Sequence, residues 1–161
     1  MGQLVFRDAV PGDEVRIAWF VRALAEYEGL LHEVEASEAD FAAALFGPTP
    51  RCHALFACDD GTEIGFALWF FNFSTFVGRA GLYVEDVFVL PAHRGQGVGR
   101  AIFSELGRRA LAAGCKRMDW WVLNHNAPAI RFYDAIGARP MTEWTVQRLE
   151  GPALAAVAEG T

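Results

Sequence analysis

Apolar and polar positions recur along this chain with enough regularity to lay out most of its elements. Leu4 to Asp8 reads as a first strand. Ile17, Phe20, Val21, Leu24 and Ala25 then fall on one face of a helix. Pro11 suits its first position, Asp13 and Glu14 suit its first turn, and Gly29 ends it. Ser37-Glu38-Ala39-Asp40 has the form of a capping box, opening a second helix that reaches Phe46 and stops at Gly47-Pro48. Cys52 to Cys58 and Glu63 to Phe73 are strand-like runs on either side of the turn Asp59-Asp60-Gly61, which makes them a hairpin. Ser74 to Arg79 links to a further strand from Leu82, apolar at Val84, Val87, Phe88, Val89 and Leu90 and broken only by Glu85 and Asp86. Pro91 ends that strand because it has no N–H to give the ladder. Val98, Ile102, Leu106, Ala110 and Ala113 return to helical spacing, with Gly114 as the stop. Arg117 to Val122 reads as the next strand. Asn126-Ala127-Pro128 opens a helix to Ile136, closed by Gly137, and Met141 to Leu149 reads as a last strand. The tail from Gly151, rich in Ala and Gly, is expected to be loosely held.

This order, β, α, α, three strands, then α, β, α, β, implies an α/β protein with a mixed sheet and helices on both faces. At 161 residues, with no repeat or linker, the whole of 1–161 reads as a single domain. A hydrophobic content of 53%, with 13 Phe and 5 Trp, is enough for a well-filled core. No apolar run approaches a membrane span, and MGQLVFRDAVPGDE lacks the apolar stretch of a signal peptide. Cys52, Cys58 and Cys115 have no metal-ligand spacing and read as reduced core cysteines of a cytoplasmic protein. His32, His53, His93 and His125 show no ligand spacing either, so no metal is expected. The net charge of −6 argues against a nucleic-acid partner and is compatible with a cationic substrate.

The stretch with the most chemistry is LYVEDVFVLPAHRGQGVGRAIFSEL, Leu82 to Leu106: strand, turn, glycine-rich loop and helix start. Glycines at such a junction let backbone N–H groups come close to an anion, and the new helix adds its positive end. A pyrophosphate site is the physical reading; a plain strand-to-helix turn is the bland one. A P-loop would need Gly-Lys-Ser/Thr, but Gly99 is followed by Arg100-Ala101. A dinucleotide fingerprint would need G-x-G-x-x-G, and Gly95-x-Gly97-x-Gly99 has the wrong third spacing.

Arg94, Gly97 and Gly99 match the acyl-CoA loop of the GNAT N-acetyltransferases. With LAEYE (Leu24 to Glu28), GFALWFF (Gly65 to Phe71), LYVEDVFV (Leu82 to Val89) and the Asn126…Tyr133…Ala138 segment, the chain resembles that superfamily over nearly its whole length. Tyr27-Glu28 and Tyr83-x-Glu85-Asp86 narrow the resemblance to the spermidine/spermine branch, with its diamine and thialysine relatives. The resemblance implies a mostly antiparallel mixed sheet with a splayed central strand, and acetyl-CoA as co-substrate. It implies that Val87, Phe88 and Val89 hold the pantetheine arm through backbone groups, and that Arg94, Gly95, Gln96, Gly97, Val98, Gly99 and Arg100 hold the pyrophosphate. Asn126, Ala127, Pro128 and Ala129 would bind near the reactive end of the cofactor, and Tyr133 would be the general acid. Tyr27, Glu28, Glu85, Asp86, Asp119, Trp120 and Trp121 would face the amine. Past Gly137 the acidic residues depart from the branch pattern, Glu143 being displaced, which leaves lysine-like amines open beside polyamines. Members of the branch pair through their C-terminal strands, so a homodimer is expected.

The chemistry can be argued independently. An alkylamine must lose a proton before it attacks a thioester, at a cost of about 4–5 kcal/mol near pH 7. Glu85 could hold the cation and accept that proton, and a phenol such as Tyr133 could protonate the departing thiolate. Consecutive Glu85 and Asp86 point to opposite faces of a regular strand, so only a bulge would bring both to one site; otherwise Asp86 is a buried ion-pair residue. Tyr133 could instead be packed with Ile130, Phe132 and Ile136, and Tyr27 and Glu28 could simply face solvent. Of Trp120 and Trp121, one ring belongs on each face of the strand, and one of them in the core. The leading expectation is acetyl transfer to a small cationic amine; a protein N-terminal or lysine acetyltransferase and a non-catalytic acyl-CoA sensor are the alternatives.

Overall fold

The computed structural model describes residues 2–160, which pack as two compact units meeting in sequence at Trp121/Val122. The first unit is built on a five-stranded sheet in the order of the chain. Its strands are β1 (Leu4–Asp8), β2 (His53–Asp59), β3 (Thr62–Ser74), β4 (Arg79–Val89) and β5 (Met118–Asp119), with helices α1 (Glu14–Glu28), α2 (Glu38–Phe46) and α3 (Val98–Ala112). β1 to β4 are joined antiparallel, and β5 is parallel to β4. Helices cover both faces. Leu55, Ala67, Trp69, Leu82 and Val84 pack with Val98, Ile102 and Leu106 of α3 on one side. Phe56, Phe66, Leu68 and Phe88 pack with Ile17 and Phe20 of α1 and Leu45 of α2 on the other.

Local sequence explains most of these elements. Ser37 and Asp40 form the expected capping box, with Asp40 N–H donating to Ser37 Oγ at 3.3 Å and Ser37 N–H donating to Asp40 Oδ2 at 2.8 Å. α1 starts later than its pattern suggests. Gly12 takes φ of +105°, which no helix continues, so Pro11 stays in a turn and Asp13 becomes the residue before the first helical one. The Asp13 carboxylate is occupied outside the helix: it accepts from Val10 N–H at 2.8 Å and from Arg7 at 2.6 Å.

β5 is much shorter than the expected Arg117–Val122. Pairing with β4 covers Leu82 against Met118 and Tyr83 against Asp119 and stops there. The reason lies one step along β4, where Leu68 pairs with Asp86 but Trp69 with Val84, so Glu85 is an extra residue in the ladder. A bulge of this kind bends its strand: pairing with β3 resumes at Asp86, but pairing with β5 does not. From Val84 to Val89, β4 has no strand partner on its β5 edge among the described residues. β4, the fourth strand of five, is thus open along this edge beyond the bulge.

The second unit holds two helices, α4 (Ala127–Ala135) and α5 (Gly151–Glu159). The expected strand Met141–Leu149 is absent; the segment opens on a turn, Trp144 N–H donating to Met141 C=O at 3.2 Å, and makes no ladder pairing, with Trp144 and Val146 exposed. The tail expected to be loose is helical instead, because Pro152 sits in the first turn and Ala153, Ala155, Ala156 and Ala158 are strong helix formers. Among the described residues no helix is long and apolar enough to cross a membrane.

Candidate active site

The bulge decides which side chains share a face. Leu82 and Val84 pack under α3, and so do Val87 and Val89, so the alternation slips by one between Val84 and Val87. Tyr83, Glu85, Asp86 and Phe88 therefore all fall on the α1 side, where Phe88 joins the core beside α1. Both carboxylates reach one place, which a regular strand would forbid. Asp86 is half-buried and Glu85 exposed. Burial first, then the charges of Glu85 and of Glu28 at the end of α1, push the Asp86 carboxyl up to about 7. Two carboxylates thus share one face of the sheet, and the charge of Glu28 at the end of α1 reaches Asp86 as well. The Cys52 thiol lies by the same group, raised by burial and then by the charge of Glu85.

The loop after β4 is held from both ends. Arg94 Nε donates to Val89 C=O at 2.9 Å, and its guanidinium lies 4.2 Å from the Tyr27 ring and 5.1 Å from that of Phe88. Tyr27 is thereby engaged by the loop arginine and stands beside Phe88. Gly95 and Gly97 take φ of +73° and +85°, and a Cβ on either would meet nothing within 4 Å. These positions turn left-handed without crowding, and their backbone opens to free space at the start of α3. Gln96 Nε2 closes the turn on Ala92 C=O at 3.0 Å. Val98 is buried in the α3 core, which fixes the helix end to the sheet.

Trp120 is the core ring of its pair, packed edge-on against Phe103. Trp121 is exposed and sits edge-on to Tyr83, which stacks on Phe70 at 4.9 Å. Asp119 lies with Arg117, its Oδ2 2.8 Å from Arg117 Nε. Tyr83 is pushed up to about 12, by burial and then by the charges of Glu85 and Asp119.

In the second unit, Asn126 caps α4, its Oδ1 accepting from Ala129 N–H at 3.3 Å, and Pro128 stands in the first turn. Ala127, Pro128 and Ala129 form the helix start as expected. Tyr133 is half-buried, 5.5 Å from the Phe132 ring, and Ala138 N–H donates to its carbonyl at 3.0 Å. Asn72 and Arg117 carry no site signal in the sequence, and Cys52 reads there only as a core cysteine at a strand start. Only strand pairing brings Asn72 and Arg117 beside Asp119, and Cys52 precedes its strand with no periodic signal.

Comparison with known proteins agrees with this architecture. The model of the acetyltransferase (GNAT) family matches residues 18–138. The thialysine N-epsilon-acetyltransferase of Bos taurus is 37% identical over 165 residues, covering 96% of each chain. The L-ornithine N5-acetyltransferase of Arabidopsis thaliana is 35% identical over 99 residues, 62% of this chain and 43% of the plant protein. Among solved structures, an integron cassette protein from the mobile metagenome of V. cholerae superposes with a TM-score of 0.80 at 26% identity, covering 97% of this chain and 98% of that one. With a family model over most of its length and a relative matched end to end, the chain belongs to the GNAT acetyltransferase family.

Proposed function

We infer that this protein transfers the acetyl group of acetyl-CoA to a primary amine of a small cationic acceptor at the carboxylates gathered by the β4 bulge. That it is an acetyl-CoA-dependent N-acetyltransferase follows from its family and from relatives that acetylate the amines of thialysine and ornithine. The observation that carries the siting is the slip in alternation at Glu85, which brings Glu85 and Asp86 to one face. Carboxylates forced to repel one another gain most from an ammonium between them. Glu85, outside the regular ladder and exposed, meets the amine and takes its proton. Asp86 is tuned close to neutrality and takes or returns a proton beside it.

The co-substrate's requirements are supported along the next stretch of chain. The edge of Val87, Phe88 and Val89 that lacks a strand partner suits a pantetheine arm, whose amides resemble a peptide, although Arg94 already holds the Val89 carbonyl. The open left-handed loop from Arg94 to Gly99 and the start of α3 with Arg100 suit a pyrophosphate. By the family resemblance, Asn126 and the α4 start are proposed to bind the reactive end of the cofactor, and Tyr133 to protonate the thiolate that leaves.

The acceptor is a polyamine, diamine or lysine-like amine, and nucleic acid and membrane are not partners, in keeping with the charge of −6. Three free thiols, Cys52, Cys58 and Cys115, fit a cytoplasmic location. A homodimer is proposed because Phe73, Phe76, Trp144 and Leu149 expose large apolar side chains; a sedimenting mass near 17.7 kDa at micromolar concentration would refute it. The activity is tested by thiol release from acetyl-CoA across ornithine, lysine, thialysine, putrescine, spermidine and a lysine peptide. Release with the small amines and little with the peptide is expected. Tight CoA binding with no release from any amine would leave a sensor.

A further inference from the structure

The face that carries Glu85 holds a second polar group at its other end. Met118 packs into the α3 core, so Arg117 and Asp119, on either side of it, turn to the opposite face with Tyr83. There Asn72 Nδ2 donates to Asp119 Oδ2 at 3.4 Å, the oxygen that Arg117 Nε also approaches. The group is built on Gly81: a Cβ at that position would run into Asn72 Oδ1 and lie 3.2 Å from Arg117 Cγ. Its hydrogen-bonding capacity is not used up. Among the described residues neither Nη of Arg117 makes a hydrogen bond, nor does Asp119 Oδ1, and Asn72 Oδ1 is buried without a partner. Arg117 is 45% exposed and Asp119 35%, so both remain accessible.

Between this group and the carboxylates stands an aromatic wall, Tyr83 stacked on Phe70 with Trp121 edge-on to it. Tyr83 pairs with Asp119 across the sheet, and Glu85 lies two residues further along β4. One strand spacing and two residues of rise place the two polar ends roughly 8 Å apart at their backbones. The face therefore presents an acidic end, an apolar span and an end with one guanidinium and one carboxylate. A plain diamine meets a like charge at Arg117, whereas a zwitterionic head meets complementary charges at both groups.

We propose that Arg117 and Asp119 form the head-group site for a diamino acid acceptor, Arg117 taking its α-carboxylate and Asp119 its α-ammonium while the side-chain amine reaches Glu85. This rests on the amine-acetyltransferase reading above and names the acceptor class within it. Arg117 acts here as a specificity residue, not a participant in acetyl transfer.

Acceptors matched except for the carboxylate test the idea: ornithine against putrescine, and lysine against cadaverine, in thiol release from acetyl-CoA. The native protein should prefer each amino acid by at least about tenfold in kcat/KM. Arg117→Gln should collapse that preference through KM, with kcat for the amino acid held, and Arg117→Lys should restore part of it. Equal or better use of the diamines by the native protein would overturn the assignment even if the variants failed to fold. So would an Arg117→Gln variant that keeps the preference, or one that loses kcat on both acceptors alike. A native protein that releases no thiol with any amine would instead lack the underlying activity, and the head-group site would fall with it.

Discussion

The crowding of carboxylates at the bulge can be tested without any substrate. Asp86 carries a folded pKa of about 7 against an ordinary 3.8. The folded state therefore holds a proton that the unfolded chain has released. Stability from this group is complete below the unfolded value and is lost as the pH rises through the folded one. A pKa difference of this size corresponds to about 4 kcal/mol at the alkaline limit, and between pH 5 and pH 8 the loss amounts to roughly 2–3 kcal/mol. Asp86→Asn removes the titration while keeping shape and one hydrogen-bonding oxygen. Its stability relative to the native protein should therefore rise by that amount from pH 5 to pH 8. Urea unfolding of both proteins at the two pH values, with equal m-values, measures the difference directly. A gap between the two that is the same at pH 5 and pH 8, or that moves against the variant as pH rises, would refute the reasoning. Asp86 would then be an ordinary ionised carboxylate with a cationic partner.

Two further predictions address the cofactor and the acid. Gly97→Val places a branched side chain at φ of +85°, where it is strained by about 1–3 kcal/mol, and fills the open space over the loop. Calorimetry should show CoA binding weakened in a chain that still unfolds cooperatively; an unchanged dissociation constant would remove the loop from the cofactor site. Tyr133→Phe keeps the ring and changes stability by about 1 kcal/mol at most. It should lower turnover about 10²-fold, the low end for general acid catalysis, with CoA affinity held; full-speed turnover would leave the proton to water or to the amine.

Much of the fold was legible because its signals are local. The Ser37–Asp40 box, the Gly61 turn, the Gly97 helix start and the Asn126 cap depend on residues within a few positions, and each appears where the pattern set it. What was not legible depends on pairing. Nothing in Val-Glu-Asp-Val says that Glu85 drops out of the ladder, and that single slip turns two opposed carboxylates into neighbours. The Met141–Leu149 alternation suits a strand, but a strand forms only against another, and its own unit contains none among the described residues. The helix of the tail was written in its alanines and outweighed by its glycines. Arg117 escaped notice because a lone arginine at a strand start is ordinary until Asp119 and Asn72 are seen beside it.

The central claim is that an amine is deprotonated and acetylated at the carboxylates of the β4 bulge. Glu85→Gln tests it most directly, since Glu85 is exposed, lies outside the regular ladder and can lose its charge with little cost to the fold. Steady-state thiol release from acetyl-CoA, with the best amine of the panel and CoA affinity measured in parallel, should show kcat/KM for the amine reduced by about 10²-fold or more and CoA binding unchanged. A Glu85→Gln protein that acetylates the amine at the native rate would contradict the account and move the site of proton transfer elsewhere.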